Sequence, residues 1–158
     1  MEQIIMEQLS TLENRNQMKL EFLSKSENEA FARTVTAAFI SQLDPTVEEL
    51  TEIKTAVSEA VSNAVIHAYP EQGIGTVILE CVLKADRSVV ITVIDHGVGI
   101  ADVKQAMEPL YTSKSAEERS GMGFTVMESF MDRISVDSEP GKGTSVTMTK
   151  NLDMNYDF

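Results

Sequence analysis

Glu59 and Asn63 stand four residues apart, and His67 follows after four more. On a helix four residues advance about 400°, so the three side chains drift only ~40° per step and share one stripe about 12 Å long. A carboxylate so placed can take a proton from an attacking hydroxyl within hydrogen-bond reach. An amide oxygen can ligate a hard cation such as Mg²⁺ without adding negative charge beside phosphates. His67 reads better as a helix-end residue, favourable to the negative C-terminus, than as a ligand. The same spacing also describes a Glu and an Asn on a solvated helix face, although Asn is a poor former of helix interiors.

Two further strings add chemistry to this one. Asp95 follows the hydrophobic run Val89-Val90-Ile91-Thr92-Val93-Ile94, so it ends a strand, partly buried, and needs a donor. The amine of adenine would serve. Gly97 and Gly99 let the backbone turn sharply and let a flat base come close. Gly121-Met122-Gly123 opens a helix, whose exposed N–H groups can bind phosphate. Lys114 and Arg119 lie just upstream and are expected to contact the phosphates. Thr144, after Gly143, could donate its hydroxyl near the base or be an ordinary strand residue. An Asp-x-Gly turn or a Gly-x-Gly alone is met in many unrelated folds. The three strings in this order within 158 residues form a stronger signal, that of a site for ATP.

These residues need a scaffold. Residues 1–17 read as an extension, a marginal helix or a flexible tail. Residues 18–23 alternate and predict a strand. Ser26 with Glu29 predicts a capping-box start for a helix whose buried stripe is Phe31, Val35, Phe39 and Leu43. Arg33 lies off that stripe and is expected to face solvent as an anchor for an acidic partner, unless it is a plain surface residue. Asp44-Pro45 ends the helix. Thr46 and Glu49 predict a second capping box and a long helix that buries Leu50, Ile53, Val57, Val61 (or Ala60), Ala64 and Val65 and stops near Pro70. Residues 74–83 and 88–94 predict a hairpin. Residues 101–120 predict a short helix and then a mobile loop. A helix from Gly121 and a hairpin of residues 134–137 and 145–149 complete the order β-α-α-β-β-α-β-β. The expected fold is α/β in the α+β sense: a two-layer sandwich with a largely antiparallel mixed sheet and helices on one face.

The length fits one domain, and neither internal repeat nor linker interrupts it. A hydrophobic share of 42% and a charged share of 24% are ordinary for a soluble domain. There is no apolar run of spanning length and no basic, signal-like start. Cys81 is the only cysteine, so no internal disulfide is possible and a reducing cytoplasm is expected. A formal net charge of -12 argues against nonspecific binding to nucleic acid, and it either suits a basic face on a protein partner or only aids solubility.

The strings resemble the nucleotide site of the superfamily that joins DNA gyrase, the heat-shock chaperone ATPase, histidine kinases and the mismatch-repair ATPase (GHKL). From about Met18 to Lys150 the chain is similar to the small bacterial anti-sigma serine kinases, above all those of sporulation. The stretches that carry this are Ser26-Glu27-Asn28-Glu29-Ala30-Phe31-Ala32-Arg33, Gln42-Leu43-Asp44-Pro45-Thr46, Glu49-Leu50-Thr51-Glu52-Ile53-Lys54-Thr55 and Glu118-Arg119-Ser120-Gly121-Met122-Gly123-Phe124. The resemblance implies ATP and Mg²⁺, and a homodimer that holds a sigma factor away from RNA polymerase. It also implies transfer of phosphate to a serine of an anti-anti-sigma partner. It makes Glu59 the catalytic base, Asn63 the Mg²⁺ ligand, Asp95 the adenine acceptor and residues 109–120 a lid over the phosphates. It confines the domain to residues 18–150, with a tail at 151–158. His96 and Ala68 depart from the pattern, where Glu and Gly are expected. Two alternatives stay open: a sigma-binding module that uses ATP only as a ligand, and the general-stress version of the kinase.

Overall fold

The computed structural model describes residues 14–70, 73–108 and 123–153. The chain runs through β1 (Asn14–Leu23), α1 (Glu27–Ile40), a 3-10 turn (Ser41–Leu43), α2 (Val47–His67), β2 (Thr76–Lys84), β3 (Ser88–Asp95), α3 (Val103–Ala106), α4 (Gly123–Phe130), β4 (Arg133–Glu139) and β5 (Gly143–Asn151). The strands form one sheet in the order β1-β2-β3-β5-β4, with every neighbouring pair antiparallel. The helices α1, α2 and α4 pack together and cover one face of it.

Alternation explains that division. Val77, Leu79, Cys81 and Leu83 of β2, with Val89, Ile91 and Val93 of β3, point into the core, where they are 3% exposed or less. Ile78, Val82, Val90 and Ile94 point the other way and stay half-buried. The core's second half comes from α2, which buries Ile53, Ala56, Val57, Ala60, Val61 and Ala64. Each large aliphatic side chain so buried stabilises the fold by about 1.5–3 kcal/mol. Burial pushes the Cys81 thiol up to about 12, so it behaves as a small apolar core residue.

The start of α2 obeys its sequence signature. Thr46 Oγ1 accepts from Glu49 N–H at 3.0 Å, and Glu49 Oε1 accepts from Thr46 N–H at 2.9 Å. Glu49 Oε2 also accepts from Asp153 N–H at 2.8 Å, which ties the chain's last described residue to this helix end. One turn further along α2, Lys150 Nζ pairs with Glu52 at 2.5 Å and donates to the Phe130 carbonyl at 2.7 Å.

The start of α1 does not obey its signature. Ser26 is itself helical (φ −60°, ψ −31°) and makes no side-chain cap bond. The entry is held instead by Asn28 Nδ2, which donates to the Leu23 carbonyl at 2.9 Å. Of the expected stripe, Leu43 is buried and Phe39 packs against the core, but the fully buried positions of α1 are Ala32, Thr36 and Ile40, and Phe31 is 51% exposed. Small Ala32 allows close approach, and Thr36 satisfies its hydroxyl on the Ala32 carbonyl at 2.8 Å. Arg33 is therefore turned toward α2 rather than wholly to solvent. It is half-buried, and its Nη1 donates to Ser58 Oγ at 3.3 Å. β1 begins at Asn14 rather than Met18, because Asn14 and residues 16–17 pair with β2. Among the described residues no helix is long and apolar enough to cross a membrane.

Candidate functional site

Four elements meet around a cavity of about 440 Å³, a volume that suits a nucleotide-sized ligand. The helix α2 supplies one wall through Ala60, Asn63, Ala64 and His67. The small alanines between the polar residues let ligand atoms approach the helix. The end of β3 and the loop after it supply Val93, Asp95, Val98, Gly99 and Ile100. Gly123 and Phe124 of α4, with Thr144 and Val146 of β5, close the far side. Apolar walls with a few convergent polar groups fit a flat heteroaromatic ring.

Asp95 is the polar group set deepest, at 8% exposed. Burial pushes its carboxyl above the ordinary carboxylate range, while the N–H groups of Gly97 and Thr144 and the nearby His96 pull the other way without cancelling it. Oδ1 accepts from Gly97 N–H at 3.0 Å. Thr144 is its register partner on β5, so the carboxylate and this hydroxyl lie side by side.

Both glycines of the Asp-x-Gly-x-Gly string are demanded by space. A Cβ on Gly97 would stand 2.0 Å from the Ala68 carbonyl oxygen. Gly99 has φ +76°, and a Cβ there would stand 2.3 Å from the Glu139 carbonyl oxygen. The loop is thus pressed between the exit of α2 and the β4–β5 turn.

Of the residues singled out in the sequence, Asn63, Asp95, Gly99, Gly123 and Thr144 border the cavity, and Gly97 packs directly behind it. Glu59 is half-buried one turn back along α2 and is not among the lining residues. Lys114, Arg119, Gly121 and Met122, like residues 109–120 as a lid, lie outside the described residues. His67, read as a helix-end residue, does end α2 but also lines the cavity. Ile100, Asp102, Gln105 and Ala106 carry no motif and were not singled out. Among the described residues no cluster of three or more His, Cys, Asp or Glu could hold a metal ion. Asn63, which lines the cavity, carries an amide oxygen of the kind that could ligate a hard cation.

Comparison with known proteins decides the family. A family model described as a histidine kinase-like ATPase domain matches residues 22–150. The chain belongs to that family. It is 58% identical over 144 residues to the anti-sigma F factor of Caldanaerobacter subterraneus subsp. tengcongensis, covering 91% of this chain and 99% of that one. It is 61% identical over 138 residues to the anti-sigma F factor of Pasteuria penetrans, covering 87% of this chain and 92% of the relative. Among solved structures, the RsbU and RsbW domains of a Mycobacterium tuberculosis protein superpose with a TM-score of 0.67 at 19% identity, over 90% of this chain and 34% of theirs. A blue-light activated histidine kinase domain from Erythrobacter litoralis gives 0.53 at 22% identity, over 78% of this chain and 60% of that one. These two likenesses establish the shared fold of this family member.

Proposed function

We propose that this protein is a cytoplasmic anti-sigma factor of the sporulation type that binds a sigma factor and, with ATP, phosphorylates a serine of an anti-anti-sigma partner. The observation that carries the reading is the meeting of Asn63, Asp95, Gly123 and Thr144 around one cavity, in a chain so similar to anti-sigma F factors.

Asp95 accepts from the exocyclic amine of adenine, and Val93, Val98, Ile100 and Val146 flank the ring. Asn63 holds Mg²⁺, which when bound offsets charge on the phosphates. The N–H groups at the start of α4 would bind the phosphates, with a proposed share in that contact for Lys114, Arg119, Gly121 and Met122, which lie outside the described residues. Glu59 takes the proton from the serine hydroxyl of the partner. The serine oxygen forms a bond to the terminal phosphorus as the bond from that phosphorus to the bridging oxygen breaks, and ADP leaves with that electron pair. Arg33 anchors a protein partner from α1.

A homodimer is part of the same reading. Ile78 stands opposite Ile94, and Val82 opposite Val90, on the sheet face turned away from the helices. Such a half-buried apolar stripe suits a second copy of the chain.

A second reading is a sigma-binding module that holds ATP without transferring phosphate. One assay separates the two. The wild type and Glu59→Ala are titrated with Mg-ATP by calorimetry, then incubated with radiolabelled ATP and the serine partner. The kinase reading expects equal binding by both and transfer by the wild type alone. Transfer by Glu59→Ala at the wild-type rate removes Glu59 from the mechanism. Absence of any transfer by the wild type supports the module, and absence of binding overturns the nucleotide site.

A further inference from the structure

Four of the backbone N–H groups between Asp95 and Ile100 are already engaged by protein acceptors. His96 N–H donates to Tyr69 Oη at 2.8 Å, Gly97 N–H to Asp95 Oδ1 at 3.0 Å, Val98 N–H to the Ala68 carbonyl at 2.8 Å and Ile100 N–H to Ser138 Oγ at 2.7 Å. Gly141 N–H donates to the Val98 carbonyl at 2.8 Å. Two of these acceptors are hydroxyls outside every string that points to the nucleotide.

The direction of each hydroxyl bond is fixed by its other partner. Tyr69 Oη lies 2.7 Å from the Thr76 carbonyl, which can only accept, so the phenol's one hydrogen goes there. Toward the loop Tyr69 is then an acceptor. Ser138 Oγ lies 3.0 Å from the Gly143 carbonyl and 2.8 Å from Thr144 Oγ1. The one arrangement that satisfies all three of its contacts has Ser138 donating to Gly143 and accepting from Ile100 N–H and Thr144 O–H. The Thr144 hydrogen is thereby committed to Ser138, so toward the cavity this hydroxyl offers lone pairs rather than the donor read from the sequence.

The two hydroxyls hold opposite ends of the loop. Tyr69, 7% exposed, binds the first residue after Asp95 and joins the exit of α2 to the start of β2. Its ring is closely packed, because a Cβ on Gly75 would come within 2.3 Å of it. Ser138 binds the last residue of the loop and joins it to the β4–β5 turn.

We propose that Tyr69 and Ser138 are positioning residues that hold the loop of residues 95–100 in its nucleotide-accepting form before any ligand arrives. Neither touches the nucleotide. They act through Asp95, whose carboxylate the loop aims, and they spare the ligand the ordering of that backbone. The inference rests on the nucleotide reading of the cavity.

The test uses the full chain, Mg-ATP calorimetry and amide hydrogen exchange, on Tyr69→Phe, Ser138→Ala, Ser138→Thr and a control. The control is Thr36→Val, which removes a buried hydroxyl on α1 far in sequence from the loop. Tyr69→Phe and Ser138→Ala are each expected to weaken Mg-ATP binding by about tenfold, the equivalent of one lost hydrogen bond. Ser138→Thr keeps a hydroxyl and stays within about twofold of the wild type. Thr36→Val lowers the melting temperature and keeps wild-type affinity. In Tyr69→Phe the Val98 amide is expected to exchange about tenfold faster although its own acceptor is untouched, while Ile91 in the sheet keeps its protection. If Tyr69→Phe and Ser138→Ala bind as tightly as a wild type that does bind, the inference falls and the nucleotide site stands. If affinity merely follows melting temperature, Thr36→Val included, the inference also falls. If the wild type itself gives no heat with Mg-ATP, the nucleotide reading fails and takes the inference with it.

Discussion

Replacing Gly97 by Ala adds one methyl group at the tightest point of the site. The backbone angle at Gly97 is not left-handed, so the substitution is resisted by space alone. The new carbon would stand 2.0 Å from the Ala68 oxygen, 2.5 Å from its carbonyl carbon and 2.6 Å from its Cβ, all of them atoms fixed by the end of α2. Relief requires the loop and the helix exit to part by about 1 Å, an overpacking strain of ~1–3 kcal/mol. The same movement stretches the 2.8 Å bond from Val98 N–H to the Ala68 carbonyl, a further ~0.5–1.5 kcal/mol. The sum, about 2–4 kcal/mol, falls on the stability of the fold and on ATP affinity in shares that two measurements apportion. Thermal melting reads the first, and Mg-ATP calorimetry on the folded variant reads the second. A Gly97→Ala protein that melts within a degree or so of the wild type and binds ATP within about twofold would refute the reasoning, because it would show that the loop yields freely.

Three other outcomes follow from the structure. An ionised Asp95 accepts from an amine more strongly than a protonated one, and its carboxyl is raised above the ordinary value of 3.8, so ATP affinity should fall on acidification earlier than an ordinary carboxylate would allow. Asp95→Asn should bind ATP about 10- to 100-fold more weakly and lose that pH dependence; parallel pH profiles would remove Asp95 as the acceptor. For Glu49, burial pushes the carboxyl up, but bonds from Thr46 and Asp153 and the charge of Arg87 outweigh it, leaving it below the ordinary value of 4.5. Its stabilisation is therefore complete above 4.5 and is lost as pH falls through the depressed folded value. Urea unfolding of Glu49→Ala should show a deficit of about 2 kcal/mol at neutral pH that shrinks in acid, and a flat difference would contradict the pairing. Arg33→Ala should weaken binding of the sigma factor, the serine partner or both in interferometry, and unchanged affinities for both would exclude Arg33 as an anchor.

The sequence made the order of elements legible because the strongest signals are local. Thr46 with Glu49 marks the start of α2 through bonds three residues apart, and Asp95 is announced by the six apolar and β-branched residues before it. The stripe of α1 was misread for a tertiary reason. Phe31, Val35 and Phe39 have helical spacing, but packing against α2 favours the smaller Ala32 and Thr36, and leaves Phe31 outside. The same rotation moved Arg33. Ser26 carries the residue type of a cap, yet its backbone is already helical, which no local pattern reveals. In the site, Asn63, Asp95 and Thr144 could be found because their chemistry fits a nucleotide. Tyr69 and Ser138 could not, since the loop N–H groups they accept from lie 27 and 38 residues away along the chain. Nor could the position of Glu59 relative to the cavity wall.

The hairpins β2–β3 and β4–β5 each join neighbours in the chain, whereas β1 must find β2 across α1 and α2, and β3 must find β5 across α3 and α4. Pairings between distant segments form late in folding. Asp95 and Thr144 meet on the β3–β5 seam, so the cavity they border is complete only once that seam has closed. On the proposed reading, the affinity for ATP is thereby tied to a pairing between strands far apart in the chain.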